Sequence, residues 1–167
     1  MNKLKPVFCT ISGISLDKIC FGLDEKSTDC IALKLQLLSK IADLNFKGVT
    51  DFVCNCEMGI SLWAAEIVLC ARKYNPVRLN ITAPFEEQAS LWPDEWRERY
   101  FRIHEQADCV ITLNKHFSDT CYDECDRFMI DNSSMLLWIG GGNSEILEYS
   151  REKQKQMISL ATQIIQI

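Results

Sequence analysis

Short apolar runs alternate along the chain with longer stretches whose apolar residues recur every three or four positions, and this alternation predicts its elements. Residues 7–11 read as a first strand, ended by Ser12-Gly13. Ser27 or Thr28 is placed to cap a helix whose apolar series is Ile31, Leu35, Leu38 and Ala42, and Gly48 marks its end. Phe52-Val53-Cys54 predicts a second strand. From Gly59 a second helix carries Ile60, Trp63, Ala64, Ile67 and Ala71 on one face, and Asn75-Pro76 stops it. Residues 77–82 form a third strand, closed by Ala83-Pro84-Phe85. Pro93 suits the first turn of a helix that turns Trp96, Tyr100, Ile103 and Ala107 inward. Residues 109–113 predict a fourth strand, 121–132 a helix and 135–139 a fifth strand. Gly140-Gly141-Gly142-Asn143-Ser144 then leads into a last helix, with Ile146, Tyr149, Met157, Leu160 and Ile164 among its apolar positions.

Five strand–helix units in succession predict an α/β protein with a mostly parallel sheet. The strands are almost continuously apolar, as expected when helices cover both faces. With no internal repeat, linker or low-complexity segment, residues 1–167 read as one domain. Ligands of such folds bind at the carboxyl ends of the strands. The segments expected to carry function are therefore 12–15, 55–59, 83–85, 114–119 and 140–144.

Composition narrows the classes. The chain has 167 residues, 47% hydrophobic and 25% charged, which excludes a disordered chain and leaves enough length for a sizeable core. The formal charge is −5 and no strongly basic stretch occurs, which argues against duplex DNA or an anionic membrane held by a general basic surface. No apolar run reaches transmembrane length and the N-terminus lacks a signal-peptide pattern. Nine cysteines, an odd number, argue against a full set of disulfides and for a reduced, cytoplasmic protein whose thiols mostly pack in the core. Cys9, Cys70 and Cys109, inside strand or helix runs, are the expected packing residues.

Within the loops, Gly140 to Ser144 offers the sharpest phosphate signal, because glycines admit close approach and a helix start presents unpaired N–H groups. The same glycines also make a plain tight turn, and Glu145 puts a carboxylate where a phosphate would sit. Asn55-Cys56-Glu57-Met58-Gly59 has one glycine and an acid, so it reads more as a connection than as a phosphate cradle. The aromatics from Phe85 to Trp96 are able to stack on a base or to close the core, and Trp96 suits the core. Cys54-x-Cys56 and Cys121-x3-Cys125, with His116, are the metal candidates, although the usual Cys-x2-Cys pairs are absent. Only two histidines occur, His104 reads as a surface or boundary residue, and neither a G-x-S-x-G nor an H-E-x-x-H motif is present.

Several pieces taken in order resemble the YpsA-like branch of the SLOG superfamily, the Rossmann-like group that includes DprA/Smf and the LOG proteins. They are Leu62-Trp63-Ala64-Ala65-Glu66, Pro84-Phe85-x-x-Gln88 with Trp92, Arg99-Tyr100 before Ala107-Asp108, Tyr122, Met129-Ile130-Asp131, and Gly141-Gly142 followed by Tyr149. The resemblance covers nearly the whole chain. It implies a three-layer Rossmann-like domain, with about five mostly parallel strands flanked by helices, and a pocket for a nucleotide or nucleotide-derived ligand above the strand ends. LOG relatives are phosphoribohydrolases and DprA relatives bind single-stranded DNA.

The chain departs from the family pattern at the loops. Cys54 to Ser61 replace a loop of the form Ser-Gly-Gly-Ala-x-Gly-x-Asp, Ser12-Gly13-Ile14-Ser15 replaces Thr-Gly-His-Arg, Cys125-Asp126 replaces an Arg-Asn pair, and Gly141-Gly142-Asn143 replaces Gly-Gly-Thr. Each change removes a phosphate-friendly group, and two add acid. The expected function is a non-catalytic binding or sensor module with a rebuilt pocket. Its expected lining is Gly13, Asn55, Gly59, Pro84, Phe85, Gln88, Gly141, Gly142 and Asn143. No cofactor is required, a nucleotide-derived ligand is the expected occupant, and the expected partners are a small nucleotide-like molecule or a second copy of the chain. The alternatives are a LOG-like hydrolase using Glu57 or Glu145, and a ligand-free interaction domain with Trp92, Trp96 and Phe117 at its surface. Cys54, Cys56 and Cys125 occupy pocket positions of the family pattern and are carried forward as a metal or redox candidate.

Overall fold

A computed structural model of the protein describes residues 6–160. Six strands alternate with five helices: β1 (Phe8–Gly13), α1 (Thr28–Phe46), β2 (Asp51–Cys54), α2 (Ile60–Ala71), β3 (Arg78–Phe85), α3 (Asp94–Gln106), β4 (Cys109–Asn114), α4 (Cys121–Asp131), β5 (Met135–Ile139), α5 (Glu145–Glu152) and β6 (Gln156–Leu160). All neighbouring strands pair in parallel, in the order β4-β3-β2-β1-β5-β6. The protein is a three-layer α/β fold of the Rossmann-like kind.

Alternation along β2 shows how the layers divide. Phe52 and Cys54 join the larger core with α1, α2 and α3, whereas Val53 packs with Cys125 and Met129 of α4 on the opposite face. Thr10, the register partner of Val53, turns the same way, and its hydroxyl meets the Met129 carbonyl at 3.1 Å and the Ser133 hydroxyl at 2.7 Å. α2 is buried nearly all round, including Trp63 at 1% exposure, because α1 and α3 flank it. No helix among the described residues is long and apolar enough to cross a membrane.

Four expectations are corrected. The buried stripe of α1 is Cys30, Leu33, Leu37, Ile41 and Leu44, so Ile31 and Leu35 face solvent. Two apolar series interleave on this helix, and packing against α2 selects one. β3 runs on to Phe85, so 83–85 is strand rather than loop. The region read as one last helix is α5 followed by β6, with Gln154 at φ +54 between them, because the open edge of β5 offers Met157 and Ile158 a ladder. Ile164, placed in that helix, lies outside the described residues. Finally, β4 is an edge strand with Val110 and Ile111 each 42% exposed, and Cys109 and Cys70 lie on the surface instead of in the core.

Candidate functional site at the strand ends

The carboxyl ends of β1, β2 and β5 open into a cleft of about 470 Å³. Its walls come from 12–16 at the end of β1, Asn55, Glu57 and Met58 after β2 and Gly141 to Glu145 after β5, with Tyr122 and Asp126 of α4 closing one side. The loops fit together through backbone contact. The Ile14 amide donates to the Ile139 carbonyl at 3.0 Å, and Gly140, at φ +127, lets the chain pass so close to Ile14 that an added Cβ would stand 2.5 Å from its Cγ2.

An internal acceptor sits in the loop ahead of α2 and another at the start of α5, whereas α2 itself begins at Gly59 without a side-chain cap. The Asn55 side-chain oxygen accepts the Glu57 amide at 3.0 Å, and Cys56 takes a left-handed φ of +56 to make that turn. Ser144 caps α5, its Oγ accepting the Leu147 amide at 3.4 Å. The charges around the cleft are mainly negative: Glu57, Asp126 and Glu145 against Lys18. Desolvation, reinforced by Glu57, Asp123 and Glu145, raises the Asp126 carboxyl to about 7. Glu57 stands at the rim, and the enclosing walls hold its carboxyl above the usual range.

Of the nine residues expected to line the pocket, Gly13, Asn55, Gly141, Gly142 and Asn143 do so, while Gly59 sits behind them as the first cap of α2. Pro84, Phe85 and Gln88 stand outside the cleft, the first two because β3 runs on through them and Gln88 because it is buried in the turn that follows. Phe85 packs edge-on against Tyr122 and Phe117. Gln88 donates to the Asn55 carbonyl at 3.1 Å and accepts from the Tyr100 hydroxyl at 3.2 Å, so it supports the cleft loop from behind. The segment 114–119 also lies away from the cleft.

Tyr122, Asp126 and Trp138 were not expected in the lining. The signal for the first two was their spacing of four on a helix, which puts both on one face. Trp96 is core, packed 6.2 Å from Trp63 and beneath the Arg99 guanidinium. His104 is half-buried; its Nδ1 meets the Tyr100 carbonyl at 2.8 Å, and burial lowers its pKa.

The three cysteines do not converge. Cys54 lies on the α2 face of β2, Cys125 on the α4 face, where its Sγ donates to the Thr82 carbonyl at 3.1 Å. Burial raises the Cys54 thiol to about 11 and pushes those of Cys56 and Cys125 upward as well. Among the described residues no group of three or more His, Cys, Asp or Glu side chains is arranged to hold a metal ion.

Residues 9–165 match the profile of the YspA SLOG family. A UPF0398 protein of Bacillus cereus (strain B4264) is 32% identical over 143 residues, covering 80% of this chain and 76% of that protein. Another, from Halalkalibacterium halodurans, is 30% identical over 133 residues, covering 75% and 68%. The solved structure of DNA processing protein A from Helicobacter pylori, described by its single-stranded DNA binding mode, superposes with a TM-score of 0.64 at 15% identity, over 95% of this chain and 67% of that one.

That structure corrects the partner expectation, which set duplex nucleic acid aside on charge and named only a small nucleotide-like molecule or a second copy. The fold found here also belongs to a protein that binds single-stranded DNA. Net charge averages the whole surface, so a value of −5 is no ground for excluding a nucleic-acid partner. The profile match over nearly the full length and the identity to the Bacillus and Halalkalibacterium proteins lead to one assignment: this chain belongs to the YspA SLOG family, the YpsA-like branch of the SLOG superfamily.

Proposed function

We propose that the chain is a binding module whose cleft at the ends of β1, β2 and β5 takes a nucleotide-derived ligand. The observation that carries this reading is the convergence of three loops and α4 on about 470 Å³ at the strand ends, where open α/β sheets take their ligands. The lining mixes backbone polar groups with Asn55, Asn143, Tyr122 and carboxylates, a set suited to orienting a base or a ribose. A thermal-shift screen with adenosine, AMP, ADP-ribose and NAD tests it. The expected result is a rise in Tm with at least one of them that Asn143→Trp, at the exposed rim, removes. No shift with any would overturn the reading, and release of base from AMP by the purified protein would replace it with a hydrolase.

A second reading rests on the Helicobacter fold match, in which single-stranded DNA is the partner. Fluorescence anisotropy of a labelled oligonucleotide decides it. Binding that weakens with salt supports it, and flat anisotropy at high protein concentration at low salt removes it.

A further inference from the structure

Charge is sorted between the two ends of the parallel sheet. The carboxyl end holds the cleft with Glu57, Asp126 and Glu145. The amino end is formed by the turns that feed the strands, 47–50 from α1 into β2 and 72–77 from α2 into β3. Lys47, Arg72, Lys73 and Arg78 stand there. Asp51 and Asp108 are already taken, the first by Arg78 at 2.9 Å and the second by Arg72 at 3.0 Å. Asp43 lies one turn back on α1, with Lys40 on the same stretch of helix. Lys47 and Lys73 are exposed and belong to no ion pair among the described residues, so this edge is left with a positive charge.

Each of these lysines has an exposed ring beside it. Phe46, 94% exposed, precedes Lys47, and Tyr74, 85% exposed, follows Lys73. The two turns are neighbours. α1 and α2 pack side by side, Asp51 is the register partner of Arg78, and the Arg78 amide donates to the Thr50 carbonyl at 2.9 Å. Phe46 and Tyr74 each lie four residues from that bond, no more than about 14 Å along the chain. Lysines at helix ends also complement the helix dipole, which accounts for the cations and not for the rings. A single exposed ring is ordinary, but two on adjoining turns, each with an unpaired cation, form a surface that offers π faces to stack on and charge between them. Asn45, Thr50 and Asn75 interrupt the apolar area, so it is not the continuous apolar face that lies in a bilayer. What fits is a polyanion whose flat bases are free to stack, which a duplex does not present.

We infer that the amino end of the sheet binds single-stranded nucleic acid, with bases on Phe46 and Tyr74 and phosphates against Lys47 and Lys73. This rests on the single-strand reading above and places its surface at the end of the sheet away from the cleft. The test is fluorescence anisotropy of the whole chain with labelled oligothymidylate and oligouridylate of about 12 nucleotides. At least one is expected to bind, and more tightly than a duplex of the same length. The double variant Phe46→Ala, Tyr74→Ala removes rings that support no core, so it is expected to keep the parent Tm and to lose tenfold or more in affinity. Lys47→Gln with Lys73→Gln is expected to weaken binding and to flatten its salt dependence. Unchanged affinity in both variants, or a loss confined to Asn143→Trp at the cleft, overturns this surface and leaves the single-strand reading standing. No binding of either strand at low salt overturns both. A duplex bound as tightly as the single strands removes the role of stacking and overturns the inference. Capture by phosphatidylserine vesicles in place of either strand overturns it in favour of a lipid surface.

Discussion

The Gln88 side-chain amide donates to the main-chain oxygen of Asn55 across 3.1 Å, tying the segment after β3 to the loop that walls the cleft. Gln88 is 4% exposed and its other atom accepts from Tyr100. It is a positioning residue that no ligand needs to touch.

Gln88→Leu leaves the Asn55 carbonyl and the Tyr100 hydroxyl buried without partners. Each such group costs about 1–3 kcal/mol, so the variant is expected to melt several degrees below the parent. Chemical denaturation measures this, and an unchanged midpoint would show that the bond carries no weight.

Arg99 clasps the Glu66 carboxylate with two nitrogens, at 2.8 and 2.7 Å, reaches Glu25 as well, and lies over the Trp96 ring. Its carboxylate partners raise the guanidinium pKa. Arg99→Met should lower stability by roughly 1.5–3 kcal/mol, since charged hydrogen bonds and a stacked plane are lost together. Arg99→Lys keeps the charge but not the fork and should recover little. Full recovery in urea melts would show that charge alone matters.

Asp126 gives a pH signature. Its folded pKa of about 7 lies above the ordinary carboxylate value, so the folded state holds the proton more tightly. Between pH 4 and 7 the folded chain therefore binds the extra proton, and this residue's contribution to stability falls as pH rises through that window. Asp126→Asn should be the more stable protein at pH 8, and its advantage should shrink toward pH 4. A Tm difference that stays flat across this range would contradict the placement.

Thiol labelling separates the cysteines. Cys20, Cys70 and Cys109 are exposed, whereas Cys9, Cys30, Cys54, Cys56, Cys121 and Cys125 are buried. Burial raises the Cys9 thiol to about 12 and the Cys54 thiol to about 11, so thiolate at neutral pH is scarce there. Mass spectrometry after brief alkylation should find label on the first three and on the rest only after unfolding. Rapid native labelling of Cys54 or Cys125 would reopen a redox role.

Two glycines of one loop should respond differently. Gly142, at φ +79, has open space around an added Cβ, so Gly142→Ala costs about 1–2 kcal/mol of backbone strain alone. Gly140→Ala adds the collision with Ile14 and should cost clearly more, read as a lower denaturation midpoint. Equal costs would mean that the loop yields around Ile14.

What the sequence alone determined is local. Strand–helix alternation was legible because apolar periodicity and caps are properties of neighbours in the chain: β5 falls at its expected limits, Ser27 caps α1, and Ile60, Trp63, Ala64, Ile67 and Ala71 are all buried. Three of the five expected loops meet at the cleft, because strand ends in a parallel sheet share one edge. Tertiary structure decided the rest. Which stripe of α1 is buried depends on α2, and whether 156–160 pairs as a strand depends on the open edge of β5. The acidic character of the site arises only when α4 brings Asp126 beside Glu57 and Glu145, residues far apart in the chain whose repulsion exists solely in the folded protein. The same packing set Gln88 behind the cleft, divided Cys54 from Cys125 across the sheet and left the Trp138 N–H unpaired, because burial and hydrogen-bond partners are set by distant segments and not by the residues on either side.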